Sequence, residues 1–290
     1  MTLQTVAAAE PFVPPRRRSE VARKAFFYAV IVLVAALFFI PFIYTLTTSF
    51  KTLPDAANVT FIPHPWTTSA WHTIWTQYDF KTYIKNSVFL AVVVTVCNIF
   101  LAGLGGYAFA RLKFPGRELL FLLVLGTIMV PDQLRLIPVF VMLTNWHLIG
   151  NFSGYILINL VTATNLFFMR QYFMTIPKDF EEAAKLDGAG YFKTFWRIML
   201  PLALPAISAL VILQFQGTWN DFFWPLILFG QGNPAHYTIQ LGLAELNFQY
   251  TVLWPQICAG SILAILPILA IFLAFQRYFI SGVVSAGVKG

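Results

Sequence analysis

The sequence predicts an all-α polytopic membrane protein with six transmembrane helices. Hydrophobic residues make up 58% of the 290 residues and charged residues only 11%. The mean hydropathy is +0.71. A soluble domain needs more polar residues than this to cover its surface. Six apolar runs are also long enough to cross a ~30 Å hydrocarbon core, which takes about 20 helical residues.

The predicted spans divide the chain into a membrane domain, residues 25–276, and two tails. The spans lie near residues 25–47, 86–110, 119–143, 153–174, 202–228 and 254–276. Residues 1–24 are rich in Ala, Pro and Arg without apolar periodicity, which predicts a disordered N-terminal tail. Residues 277–290 form a short C-terminal tail. The uncharged run from Ala25 to Phe50 is too long for a cleaved signal peptide, so we interpret it as the first span.

Lysine and arginine predict the orientation. With the N-terminus inside the cell, 15 of the 19 basic residues lie on the inner side, and only Lys51, Lys81, Lys85 and Arg135 lie towards the outer side. This positive-inside bias predicts that both termini and the segment 175–201 are cytoplasmic. Because the basic residues are spread over loops, the net charge of +7 does not indicate nucleic-acid binding.

The first outer loop and spans two and three each leave two interpretations open. The aromatic loop 51–85 is typical of an interfacial belt or of contact with a partner outside the membrane. Small residues at 102, 103, 105 and 106 favour close helix packing rather than the dinucleotide motif that they loosely match. Asp132 and Arg135, beside Pro131, form an interfacial pair or a gate contact about 22–27 Å up the third span.

The segment 177–201 is a charged island between apolar runs, with eight charged residues among 25. Pro177 and three acidic residues, Asp179, Glu181 and Glu182, favour a helix start. Gly188 tolerates the left-handed conformation that ends a helix. The segment therefore predicts two short helices, one ending near Leu186 and the other beginning near Tyr191, joined by a bend.

A polar stripe marks span five. Gln214, Gly217 and Asp221 follow helical spacing on one face, and Asn220 adjoins them. Measured from Leu200, Gln214 lies about 21 Å and Asp221 about 31 Å along the helix, which places Asp221 at the outer mouth. Such a stripe is costly unless it lines water or is paired, so it indicates either a water-lined path through the membrane or interhelical hydrogen bonds. Weaker candidates of the same kind are Asn98, Asn159, Thr162 and Asn165.

The sequence carries no sign of catalysis. It lacks the G-x-x-x-x-G-K-[ST] loop that binds nucleotide phosphates, which predicts that this chain does not hydrolyse ATP. Its four histidines are scattered without metal-ligand spacing, and no Ser/His/Asp or Cys/His set converges. Cys97 and Cys258 lie inside predicted spans, as small apolar residues do. We therefore expect no cofactor and no metal.

The charged segment resembles the signature loop of the membrane subunits of bacterial ATP-binding-cassette importers. Glu182-Ala183-Ala184, then Gly188, then Ile198-Met199-Leu200-Pro201 follow that spacing throughout. Residues 25–290 resemble the carbohydrate-importing, maltose-type branch through Asn86-Ser87, Tyr107-Ala108-Phe109-Ala110-Arg111, Trp219-Asn220-Asp221-Phe222 and the tail 282–290. The resemblance implies a type I importer permease fold in the bacterial inner membrane.

The resemblance also implies partners and residue roles. The expected partners are a pair of ATPase subunits, a second homologous permease and an extracytoplasmic solute-binding protein, which the loop 229–253 would reach. The tail 277–290 either approaches the ATPase or is a frayed terminus. In the loop, Glu182 would anchor the ATPase contact, Ala183 and Ala184 would form a small docking face, and Gly188 would set the bend. The remaining coupling candidates are Glu181, Asp187, Ile198, Leu200 and Pro201.

The implied function is import of a sugar or an oligosaccharide. Glycerol phosphate or another polyol is an alternative cargo within the same family. A secondary transporter driven by an ion gradient is a rival class, although such proteins usually bury acidic or histidine side chains near mid-membrane. A membrane anchor that transports nothing is a second rival, against which the polar stripe argues.

Overall fold

A computed structural model describes residues 16–230, 232–247 and 252–287, with side chains for 21–230, 232–247 and 252–276. These residues form helices and no β-strand. The first half contains α1 (Arg16–Thr48), α2 (Leu53–Ala56), α3 (Ser69–Thr76), α4 (Phe80–Arg111), α5 (Arg117–Ile128), α6 (Asp132–Asn145), α7 (Phe152–Ile158) and α8 (Ala163–Thr175). The second half contains α9 (Asp179–Leu186), α10 (Tyr191–Thr194), a π-helical turn (Phe195–Met199), α11 (Leu200–Leu202), α12 (Leu204–Trp219), α13 (Phe223–Phe229), a 3-10 turn (Pro234–His236), α14 (Ile239–Asn247) and α15 (Trp254–Gly287).

Three of these helices are long and apolar enough to cross a membrane unbroken: α1, α4 and α15. Three bent pairs of helices also qualify if each pair counts as one span, so the described residues hold three to six candidate spans. The predicted number of spans is thus accommodated, but half of them are not the straight helices that the sequence predicted.

The third span breaks at Pro131. α5 and α6 meet at a bend of 102°. Proline has no N–H to donate and disfavours the α conformation in the residue before it, so the helix ends and a new one starts at Asp132. The predicted height of Arg135 assumed a straight helix and no longer applies, because Arg135 lies beyond the bend, whereas Asp132 comes directly after it. The predicted pair itself is present, because Arg135 donates to Asp132 three residues earlier.

The fourth span bends by 45° between α7 and α8. No proline lies at this break; instead, the Asn159 side chain donates to the Tyr155 carbonyl at 3.0 Å, and Asn98 donates to the Asn159 carbonyl at 2.9 Å. Side-chain amides thus take over backbone groups that a continuous helix would pair internally.

The fifth span, predicted as one helix over 202–228, is divided between α12 and α13. α12 ends at Trp219, and Asp221 accepts a hydrogen bond from the Trp224 N–H at 3.4 Å, next to the start of α13. α12 also follows the preceding helical segment, Tyr191–Leu202, at an angle of 76°. Asp221 therefore lies in a break and not on the continuous helical face that the sequence predicted.

The core is built around α4, which packs along α8 and α12. Small residues permit this approach: a Cβ on Gly106 would lie 2.6 Å from Met169 Cβ and 2.9 Å from the Arg170 backbone nitrogen. Ala102 and Gly103 are buried in the same region. The predicted close packing at the small residues of span two is confirmed, and it leaves α4 and α8 little room to slide past each other.

The two ends of the chain differ from their predicted boundaries. α1 begins at Arg16, so residues 16–24 of the predicted disordered tail are helical. α15 continues to Gly287, eleven residues beyond the predicted end of the last span. Residues 1–15 and 288–290 lie outside the described residues, so the predicted role of the C-terminal tail stays a prediction. Every residue from Val21 to Ile43 is exposed, although α1 also contacts α15.

Candidate functional site: the 177–201 loop and a polar membrane cavity

The 177–201 loop folds as two short helical arms joined at a bend, as predicted. α9 ends at Leu186, and the turn after it contains Gly188 at φ +73°. Only glycine adopts this left-handed conformation without strain. The second arm begins at Tyr191 and continues through the π-helical turn, whose Phe195 and Met199 are fully buried in the core.

α9 presents two different faces. Ala184 and Glu181 point into the protein and are 4% and 9% exposed, respectively. Glu182, Ala183 and Asp187 are exposed, and Leu186 is 90% exposed. The exposed face thus combines small, apolar and acidic side chains.

This arrangement corrects the role predicted for Ala184. Its side chain is packed against the rest of the chain and is closed to a docking partner, whereas Ala183 is open to one. Sequence reasoning also gave no role to Leu186, although a large apolar side chain in a charged helix turn is an ordinary sign of a contact surface. Among the later candidates, Ile198 and Leu200 are half-buried and Pro201 is exposed.

The buried face of α9 is clasped by the end of α4. Arg111 Nε lies 3.5 Å from Glu181 Oε2, and both side chains are almost entirely shielded from solvent. The Arg111 guanidinium also donates to the Ile176 carbonyl, just before the loop begins. Because breaking a buried ion pair leaves one charge unpaired, this clasp fixes the loop to α4. Arg111 carried part of the family resemblance, but the sequence did not reveal its partner.

The predicted polar candidates of span five meet residues of span four at a second site. Asn165 is buried, and its amide group lies 2.7 Å from both Asn98 Oδ1 and Gln214 Oε1. Gln214 in turn donates to Thr218 Oγ1 at 3.2 Å. These hydrogen bonds join α4, α8 and α12, so part of the predicted stripe holds the bundle together.

The other part of the stripe lines a cavity of about 340 Å³, here called the membrane cavity. Gly217 leaves open space in its wall, since a Cβ there would meet nothing within 4 Å. Asp221 faces the cavity and accepts a 2.8 Å hydrogen bond from the Tyr155 hydroxyl. The lining residues are Asp132, Gln133, Tyr155, Asn159, Gln214, Gly217, Thr218, Asp221, Phe223 and Trp224.

The membrane cavity adjoins a second cavity of about 380 Å³, which shares Asp132, Asn159 and Trp224. Arg135 lines this second cavity and is paired with Asp132. The combined wall offers amides, hydroxyls, carboxylates and an indole ring, which are groups that bind hydroxyl-rich solutes. Two predicted candidates lie elsewhere: Asn165 is buried behind the wall, and Asn220 accepts a hydrogen bond from Gln240 at 3.2 Å. Tyr155 was missed, because a lone tyrosine in an apolar run carries no signal.

The match to a known protein family covers nearly all residues of both sites. The family model described as "Binding-protein-dependent transport system inner membrane component" matches residues 99–285, which include the loop and both cavities. The chain is 40% identical over 205 residues to the arabinooligosaccharides transport system permease protein AraQ of Bacillus subtilis, covering 71% of this chain and 72% of that protein. It is 32% identical to the sn-glycerol-3-phosphate transport system permease protein UgpE of Yersinia enterocolitica, covering 71% of this chain and 74% of that protein.

A solved structure has the same fold. A chain from the crystal structure of a bacterial ABC transporter that imports the acidic polysaccharide alginate superposes with a TM-score of 0.74 at 25% identity, covering 93% of this chain and 100% of that chain. The all-α polytopic permease fold is therefore confirmed. The chain belongs to the family of binding-protein-dependent transport system inner membrane components.

Proposed function

We propose that this chain is the membrane permease subunit of an ATP-driven carbohydrate importer. The observation that carries the proposal is the 177–201 loop: it has the signature spacing of the family, and it is clasped to α4 while an unpartnered face of α9 points outwards. The loop and both termini are cytoplasmic, in agreement with the distribution of lysine and arginine.

The partner that drives transport is an ATPase that docks on the exposed face of α9. Leu186 and Ala183 supply an apolar centre, and Glu182 and Asp187 supply acidic flanks that suit basic residues on the partner. The chain's own sequence has no phosphate-binding loop, so ATP is hydrolysed on the partner and this subunit is not an enzyme. Closure of the ATPase pair would move the loop, and the clasp at Arg111 would carry that movement into α4.

The cargo is a neutral sugar or oligosaccharide rather than a phosphorylated polyol. Asp221 lines the membrane cavity and forms no ion pair with a described residue, whereas Asp132 and Arg135, which line the adjoining cavity, are paired with each other. A phosphate group would meet like charge there, whereas sugar hydroxyls find acceptors and the Trp224 ring. AraQ is named for a neutral oligosaccharide and UgpE for a phosphate ester, and this wall favours the former chemistry.

A second permease subunit and a solute-binding protein complete the importer. The exposed length of α1, from Val21 to Ile43, offers an apolar surface to lipid and to a second membrane subunit. One solved relative is an alginate transporter in complex with its periplasmic binding protein, which superposes with a TM-score of 0.57 at 18% identity. A binding protein outside the cell would dock at the side opposite the cytoplasmic 177–201 loop.

The test is uptake by proteoliposomes that contain the chain together with its ATPase, second permease and binding protein. We expect uptake of radiolabelled arabino-oligosaccharide to require internal ATP and to continue after ionophores collapse the ion gradients. Glycerol 3-phosphate should compete weakly. Uptake that survives ATP removal and stops with ionophore would instead establish an ion-driven transporter, and efficient competition by glycerol 3-phosphate would overturn the cargo assignment alone.

A further inference from the structure

We propose that a cavity beneath the 177–201 loop binds a phosphate monoester or diester group. This loop cavity has a volume of about 480 Å³ and lies between the end of α4 and the two arms of the loop. It is separate from the membrane cavity and shares no lining residue with it.

The charges around the loop cavity fit an anion. Arg111, Lys113 and Lys185 line it, and Glu181 is the one acidic residue among its lining residues. The excess of two positive charges matches the charge of a phosphate monoester, which is close to −2 at neutral pH. Lys185 is held beside the cavity by the ring of Tyr191, with Nζ 5.7 Å from the ring centroid.

Two buried polar atoms at the loop cavity lack a well-formed hydrogen bond to a described residue. The Tyr107 hydroxyl lies beside the Glu181 carboxylate without a well-formed hydrogen bond, although Tyr107 is only 4% exposed. Arg111 Nε is likewise buried without a hydrogen bond, since its ion-pair partner, Glu181 Oε2, lies 3.5 Å away. Buried polar groups are nearly always satisfied, and phosphate oxygens accept from both hydroxyl and guanidinium donors.

The proposed ATPase contact leaves the loop cavity open. The cavity is lined by Glu181 and Lys185, one turn apart on α9, whereas the exposed centre at Ala183 and Leu186 lies on the other side of the helix. A ligand in the cavity would bridge α4 to both arms of the loop, since Thr194 of the second arm also lines it. The site thus lies where a bound anion would stiffen the joint between loop and membrane domain.

The phosphate group has two sources that share this chemistry: a free organic or inorganic phosphate, and the headgroup of an anionic lipid. The experiment uses the assembled importer without nucleotide, in nanodiscs of phosphatidylcholine or of phosphatidylcholine with phosphatidylglycerol. Inorganic phosphate is titrated, and the thermal unfolding midpoint is followed. Two variants probe the site. Lys113→Gln removes a positive charge at an exposed position, and Tyr107→Phe removes the hydroxyl but keeps the ring that packs on Phe173 and Phe195.

The matched control is Lys193→Gln, which removes the same charge from an exposed position of the loop that does not line the cavity. We expect both site variants to weaken the phosphate response about tenfold, as loss of a charge-assisted or buried hydrogen bond does, while Lys193→Gln leaves it unchanged. If the source is lipid, phosphatidylglycerol stabilises the unsubstituted importer and removes its response to phosphate. Equal responses of all variants in both membranes would overturn the proposal. That outcome leaves the proposed transport function intact, because binding is measured without cargo or ATP.

Discussion

Replacing Gly188 by valine tests whether the bend of the 177–201 loop couples ATP hydrolysis to transport. The residue adopts φ +73°, and a Cβ there would meet no atom within 4 Å. The substitution therefore introduces backbone strain without a clash. Left-handed conformations cost an L-residue about 1–2 kcal/mol, and a β-branched side chain lies at the upper end of that range.

A strain of about 2 kcal/mol lowers the population of the native bend roughly 25-fold relative to relaxed conformers of the loop. The two arms would lose their fixed angle while the spans remain folded. We expect ATP-driven uptake in proteoliposomes to fall by about an order of magnitude, with little change in the unfolding midpoint of the membrane domain.

Gly190→Val is the matched control. Gly190 lies two residues further on at φ −74° and ψ 166°, an extended conformation that valine favours, and a Cβ there also meets no atom within 4 Å. Uptake by Gly190→Val should be close to that of the unsubstituted importer. If the two variants transport equally well, the bend does not carry the coupling and the role assigned to Gly188 is wrong.

Three further substitutions test the clasp, the polar network and the membrane cavity. Glu181→Gln leaves the Arg111 charge unpaired and should destabilise the loop by about 2 kcal/mol, measured as faster hydrogen exchange over α9, whereas the exposed Glu182→Gln should not. Asn98→Leu removes the acceptor for Asn165 and the donor to the Asn159 carbonyl, and it should lower the free energy of unfolding by about 1–2 kcal/mol in a denaturant titration. Asp221→Asn keeps an acceptor for the hydrogen bond from Tyr155 but removes a cavity charge, so glycerol 3-phosphate should compete about fivefold better for uptake; unchanged competition would refute exclusion by charge.

The loop was predictable because its signals are local. An acidic first turn, a glycine after Leu186 and an apolar face from Tyr191 each specify their own few residues, and the fold keeps all of them. The apolar character of the long helices was predictable for a similar reason, since hydropathy along the chain needs no knowledge of neighbours, and six spans stay a prediction that the three long helices and three bent pairs accommodate.

The breaks in the spans depend on neighbours and were less accessible. Pro131 does predict a break in the helix, but the size of the bend, 102°, depends on how the neighbouring helices pack. α7 ends just before Asn159, whose carbonyl accepts a hydrogen bond from Asn98, 61 residues earlier in the chain. The sequence indicates both residues only as weak polar candidates and does not predict that they contact each other. Ala184 is buried and Ala183 is exposed because of the direction in which α4 approaches α9. Two adjacent alanines in the sequence do not indicate which of them faces the protein.

α4 connects the two sites. It runs unbroken from Phe80 to Arg111, with Asn98 in the polar network and Arg111 in the clasp, thirteen residues or about 20 Å apart. Its close contact at Gly106 opposes sliding of α4 along α8. A displacement of the loop would therefore reach the membrane cavity as a tilt of α4 and α8 together. Because Asn98 and Asn165 join these helices beside Gln214, that tilt would act first on the wall of the membrane cavity, where we propose that the cargo binds.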